Sequence, residues 1–197
     1  NSNEYAYGNA AYQQPLNDTW SVRGGLSYTY NDNAVKIDGS PMRETEKGAH
    51  AKAVLENSVS DKIEVRFGTE MLTRSYVASR YDEASDQNQS LEFDEVISGT
   101  FAETEIYISN NIVTRAGARV EYNNLIDNLS VDPRVSIGYK PFERGQFSFA
   151  YGKFRQTAKN QYVRVRNGLG SEKAEHFILN YQVITDHRTF RVETYYK

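Results

Sequence analysis

Apolar and polar residues alternate in ten stretches of this chain, each bounded by residues that favour turns. They run roughly over 4–13, 20–30, 48–56, 62–75, 95–109, 113–122, 131–140, 146–156, 174–184 and 188–197. A period of two sends successive side chains to opposite faces of a β-strand. Each stretch therefore predicts a strand with one apolar and one polar face. In the second, Val22, Gly24, Leu26, Tyr28 and Tyr30 oppose Arg23, Gly25, Ser27 and Thr29. In the fourth, Ile63, Val65, Phe67 and Met71 oppose Lys62, Glu64, Arg66 and Glu70. In the sixth, Ala116, Ala118, Val120 and Tyr122 oppose Arg115, Gly117, Arg119 and Glu121. In the ninth, Phe177, Leu179, Tyr181 and Val183 oppose His176, Asn180 and Gln182.

Strand length and spacing narrow the architecture. Most stretches have nine or more residues, whereas strands of globular proteins average about five or six and a tilted membrane-spanning strand needs about 9–11. The breaks alternate in length. Gln14–Thr19, Asn57–Asp61, Asn110–Ile112, Pro141–Gly145 and Thr185–Arg188 are short; Asn31–Lys47, Tyr76–Asp94, Asn123–Ser130 and Thr157–Lys173 are longer. In an up-and-down barrel, odd and even connections emerge at opposite ends, and short turns on one side with long loops on the other describe an outer-membrane barrel. The polar faces carry charges of both signs, which suits a lumen filled by another hydrogen-bonded domain. It would equally suit the solvent face of a soluble sheet.

Composition adds less. Charged residues make up 25% and hydrophobic residues 39%, which looks soluble in bulk but does not exclude a membrane barrel, where only alternate strand residues face lipid. No run of about 18 apolar residues predicts a transmembrane helix. A net charge of −3 argues against a nucleic-acid partner. The absence of cysteine excludes disulfide and thiolate chemistry. Fifteen tyrosines and nine phenylalanines favour strands and suit a membrane–water boundary. The first residues lead directly into a strand, with no signal peptide, and Phe190–Lys197 stops inside one. The expectation is a single domain over 1–197 that is a piece of something longer.

From Val113 onward an ordered set of segments stands out. Ala116-Gly-Ala-Arg-Val-Glu-Tyr122 is followed by Asp132-Pro-Arg-Val-Ser-Ile-Gly-Tyr-Lys-Pro141 and Phe147-Ser-Phe-Ala-Tyr-Gly-Lys-Phe-Arg-Gln-Thr157. Then come Leu169-Gly-Ser-Glu-Lys-Ala-Glu-His-Phe177 and Phe190-Arg-Val-Glu-Thr-Tyr-Tyr196. This succession resembles the middle and later barrel of TonB-dependent outer-membrane receptors. Ser171 stands where that family has proline, and Asn180 and Tyr181 where it has glycine. The resemblance implies an all-β fold, an antiparallel up-and-down transmembrane β-barrel, with about ten strands present of a larger cylinder of about 22. It implies residence in the outer membrane of a Gram-negative bacterium, amid lipid and lipopolysaccharide. It also implies a plug domain of the same protein, a TonB complex engaged through a segment not seen here, and a small-molecule nutrient: an iron chelate, a vitamin or an oligosaccharide.

No constellation points to catalysis, a cofactor or a metal, and no ligand-binding residue is assigned. His50, His176 and His187 have no ligand spacing. Asp186-His187 is an acid–base pair, but in a short turn, away from the long-loop side where chemistry is expected. The acidic run Asp82-Glu83, Asp86, Glu92 and Asp94-Glu95 matches no calcium loop and reads as solvated. Thr157–Lys173, with Lys159, Arg164, Arg166 and Lys173, could attract anionic ligands or lipopolysaccharide, or be simply solvated. Gly168 and Gly170 precede no helix and so make no phosphate loop. Two other readings stay open: a complete ten-stranded barrel acting as pore, adhesin or surface enzyme, and a soluble β-sandwich binding module.

Overall fold

Ten strands form where alternation predicts them. A computed structural model describes residues 2–37, 40–82, 87–158 and 170–197. The strands are β1 (Ser2–Pro15), β2 (Trp20–Ile37), β3 (Ser40–Ser60), β4 (Ile63–Asp82), β5 (Gln87–Ser109), β6 (Ile112–Asn123), β7 (Asn128–Phe142), β8 (Gly145–Gln156), β9 (Glu172–Ile184) and β10 (Thr189–Tyr196). They make one antiparallel sheet in which each strand pairs with the next in sequence. Among the described residues β1 and β10 do not meet, so the sheet is open with two unpaired edges.

The short breaks are tight turns, as expected. Asn17 organises the first: its side-chain oxygen accepts from the backbone of Thr19 (3.0 Å) and Trp20 (2.8 Å), the local bonding that favours Asn in turns. Bulges next to three others, at Ser58–Ser60, Tyr107–Ser109 and Tyr139–Phe142, lie at the sheet rim where bulges concentrate.

The long breaks need correction. Most of 31–47 and 76–94 is strand: β2 pairs with β3 from Trp20–Asn57 to Ile37–Ser40, and β4 pairs with β5 from Ile63–Ile106 to Asp82–Gln87. The third break closes in a turn over 124–127, where Asp127 takes a positive φ of 45°, a backbone state Asp tolerates. Lys159, Arg164, Arg166 and Gly168 lie outside the described residues, as do Glu83 and Asp86; nothing is described of the Asp82 side chain. Lys173 begins β9.

Register confirms the faces. Val22, Leu26 and Tyr28 share a face with Leu55, Ala51 and Ala49, and this continues through Phe67 and Met71 to Val120, Ile137, Phe149 and Leu179. That face is open: Leu26 is 64% and Leu179 53% exposed. The opposite face holds the most enclosed polar groups, Glu95 at 2%, Asp132 and Ser130 at 4% and Asn123 at 5%. A soluble sandwich would bury the apolar face against a second sheet, and the described residues form one sheet only. Burial is therefore inside out, as a membrane barrel requires.

The apolar band has a measurable height. On β2 it runs from Trp20 to Tyr30; the next position on that face is Asp32, bonded to Arg43 and Thr45. Ten residue steps span about 34 Å along a strand. At a tilt of about 45° this is about 24 Å of depth, close to the ~25 Å band of outer-membrane barrels. The outer parts of β2–β5 rise beyond it as two hairpins.

Candidate functional site

The inward face of the sheet is a wall of interlocked charges. Near the short turns, Arg66 on β4 is the hub. It reaches Glu64 (2.6 Å), Glu103 on β5 (3.2 Å) and Glu56 on β3 (3.4 Å). Arg23 on β2 also meets Glu56 (2.9 Å), and Arg115 on β6 donates to Glu105 through Nε (3.0 Å). Each strand contributes its charges at alternate positions, so the register stacks Glu56, Arg66 and Glu103 in one row. Opposite charges side by side on a sheet attract, whereas like charges would repel.

Further toward the long-loop end, Arg119 on β6 bonds Glu121 (2.6 Å) and Glu70 on β4. Glu70 also meets Lys52 (3.3 Å) and His50 (3.6 Å) on β3. Next comes Glu95 on β5, which accepts from Arg74 (2.8 Å), from the Asn123 amide (2.8 Å) and from the Thr157 hydroxyl. Beyond it Arg155 meets Asp132 (3.0 Å). Glycines make room for these long side chains. The Phe101 ring lies over Gly68 and the Arg119 guanidinium over Gly99. Lys52 Nζ sits 5.3 Å from the Phe101 ring centre.

His50, Glu70, Arg74, Glu95, Arg119, Glu121, Asn123, Arg155 and Thr157 line a cavity of about 910 Å³, together with Leu72, Tyr76, Ile97, Ile126, Ala158 and Ser171. Its roof is a small apolar cluster of Tyr76, Ala78 and Phe93, with Leu91 and Leu125 against it. Tyr76 donates to Glu44 (2.9 Å), and its ring centre is 5.2 Å from that of Phe93. The turn after β6 is tied to β5, since the Val96 amide donates to the Asn124 side chain (2.6 Å). With each arginine matched by carboxylates, the cavity is polar and nearly neutral. It suits a protein surface or a polar solute better than a strongly charged ion.

The structure places the residues weighed in the sequence as follows. His50 lies in the wall, His176 packs on the Phe154 ring at 4.8 Å, and His187 is in the turn after β9. The three are not brought together. Asp186 is 3.8 Å from Arg144 of the neighbouring short turn. Glu92 and Asp94 are exposed on β5, but Glu95 is not solvated: it is the most enclosed carboxylate of the wall. Sequence reasoning missed Glu95, Asn123 and Thr157 as a set. It also passed over Gly99, whose position inside a strand signals close approach by a neighbour.

No family model matches the sequence, and no characterised protein matches it by sequence. Solved structures do match. The ferric enterobactin receptor of Pseudomonas aeruginosa superposes with a TM-score of 0.76 at 14% identity, over 97% of this chain and 34% of that one. The copper transporter OprC gives 0.78 at 11% identity, over 97% and 38%. The alcaligin outer-membrane receptor FauA of Bordetella pertussis gives 0.77 at 12% identity, over 98% and 36%. The chain thus spans about a third of the length of these structures. Its fold is that of a ten-strand segment of a TonB-dependent outer-membrane receptor barrel.

Proposed function

We propose that the chain is part of the barrel of a TonB-dependent receptor. Such a receptor imports a scarce nutrient (an iron chelate, a vitamin or an oligosaccharide) across the outer membrane of a Gram-negative bacterium, with energy from the TonB complex. One observation carries this reading: a sheet apolar outside and interlocked with charge inside, whose two edges stay unpaired. In lipid each unpaired backbone group costs several kcal/mol, so edges of this length call for further strands. The open edges argue against a complete ten-stranded pore or adhesin. They favour 1–197 as one portion of a single larger barrel domain.

In this reading the segment is a scaffold, not an enzyme. Its outer band meets lipid and lipopolysaccharide. Its charged wall grips a plug domain through paired hydrogen bonds, and its long hairpins help admit the nutrient. Lumen charges near neutrality suit a plug that must stay docked at rest and yet shift when pulled.

The test uses the full-length protein. It is expected to fractionate with the outer membrane, to need detergent for extraction and to run faster on gels unheated than boiled. Deleting its gene should abolish uptake of its nutrient, and so should deleting TonB. A detergent-free periplasmic protein, or uptake indifferent to TonB, would overturn the proposal.

A further inference from the structure

The lumen wall is charged from β3 to β8, and on β2 at Arg23, but it is neutral along β1 from Asn3 to Asn9 and at the β2 positions that face them. The inward positions of β1 are Asn3, Tyr5, Tyr7 and Asn9, opposite Asn33, Asn31, Thr29 and Ser27 on β2. Tyr5 and Tyr7 are 63% and 55% exposed. They sit two residues apart on one face, about 7 Å along the strand. They do not belong to the lipid band, because outward positions on β1 are Ala6, Gly8, Ala10 and Tyr12. The Asn9 amide donates to the Tyr7 hydroxyl (3.1 Å), and next to Tyr5 the Asn3 amide donates to Asn31 (3.1 Å).

Beside them runs a groove of about 420 Å³ lined by Tyr5, Ser27, Thr29, Asn31 and Gly48, a size that holds a small ligand. Glu46, His50 and Arg74 line its β3–β4 side, and these charges are already engaged. Arg74 is held by Glu95 (2.8 Å) and Glu46 (3.9 Å), and His50 lies 3.6 Å from Glu70. Tyr5 is level with Asn31 and Tyr7 with Thr29, flanking Tyr30 at the top of the apolar band. The strip therefore opens toward the long-loop end.

Resting on the reading of this face as a receptor lumen, we propose that the strip binds a neutral polyhydroxylated ligand, an oligosaccharide. A sugar ring presents a C–H face that stacks on an aromatic ring and a rim of hydroxyls that both donate and accept. Asn, Ser and Thr do both in return, and Tyr offers a ring face and a hydroxyl. An anionic chelate would lose hydration here and meet no unpaired cation on this strip. Two aromatic platforms on one strand match successive rings of a linear chain.

The test is calorimetric titration of the full-length protein, extracted from outer membranes, with cellohexaose, maltohexaose, xylohexaose and ferric citrate. At least one hexaose should bind and ferric citrate should not. Tyr5→Ala with Tyr7→Ala should weaken that binding about tenfold or more, while Tyr5→Phe with Tyr7→Phe stays within about threefold. Wild-type protein that reaches the outer membrane yet binds no hexaose overturns the inference. So does an alanine variant with lower thermal stability and unchanged sugar affinity, which would assign the tyrosines to packing against protein. Protein that fails to reach the outer membrane overturns the receptor reading itself, and this inference with it.

Discussion

Arg119 on β6 reaches Glu70 on β4 across the whole width of β5. It can do so because Gly99 stands between them: Gly99 is in register with Glu70 on one side and Glu121 on the other. A Cβ at Gly99 would lie 2.6 Å from the guanidinium. Gly99→Val should therefore push Arg119 away and break the link to β4. Alone it should cost about 1–3 kcal/mol. Combined with Arg119→Ala, the effects should fall short of additivity by about 0.5–3 kcal/mol, as expected of two changes to one contact. Urea unfolding of the full-length protein in micelles measures both, and strict additivity would refute the bridge.

The lipid-facing assignment gives a second expectation. Leu26 is near the middle of the apolar band and its neighbour Ser27 points inward. Leu26→Arg should cost about 2–4 kcal/mol, the range for a cation near the bilayer midplane, and lower the yield of folded protein in the outer membrane. Ser27→Arg should leave folding nearly unchanged, because it adds a charge to an aqueous face. Equal effects of the two substitutions would mean that the faces are exchanged or that the sheet is not in lipid.

On the receptor reading, the faces were legible because lipid enforces them. Val22 to Tyr30 alternates with Arg23 to Thr29 only where one side meets hydrocarbon. Past Tyr30 both sides meet water, and outward positions become Asp32, Ala34 and Lys36. The backbone still pairs residue by residue up to Ile37–Ser40, but the period-two signal is gone, so Asn31–Lys47 reads as loop. The same loss hides the outer half of β4 and β5, where Tyr76, Ala78 and Phe93 face inward against Leu125. The lumen charges were visible as charges, but their partners were not. Glu70 and Arg119 are far apart in sequence, and only the register of three strands brings them together. Glu95 looked solvated because its donors come from β4, β6 and the start of the connection after β8.

Glu95 makes that last case testable. At 2% exposure it accepts from Arg74, Asn123 and Thr157 together. Glu95→Ala strands a largely enclosed guanidinium and a buried amide, and removing one partner of a buried pair costs about 3–5 kcal/mol. Glu46, 3.9 Å from Arg74, should relieve part of this and bring the loss to the low end of that range. Glu95→Gln keeps an acceptor for Asn123 but no charge for Arg74, and should cost less. The urea midpoint of the full-length protein is the measurement. A Glu95→Ala midpoint equal to wild type would show that the carboxylate does not tie the cavity roof together.

Above the membrane band, Asp32 carries a pH dependence of defined sign. Hydrogen bonds from the Arg43 guanidinium (2.9 and 2.5 Å) are the main cause that lowers its pKa, opposed by desolvation and helped by the Arg43 charge, Thr45 and Tyr30. A depressed folded pKa means that folding favours the ionised form. Its contribution is complete above the ordinary aspartate value of about 3.9. It fades as pH falls through the lower folded value. The β2–β3 hairpin beyond Tyr30 should thus resist protease at neutral pH and become more labile in strong acid. Asp32→Asn should be cut faster than wild type by trypsin at neutral pH, after Lys36 or Lys47. Pepsin at about pH 2 should narrow the difference between the two proteins, because the contribution of ionised Asp32 declines as pH falls below the ordinary aspartate value. A wild-type advantage that persists undiminished at that pH would show that the Arg43 pair does not hold the hairpin.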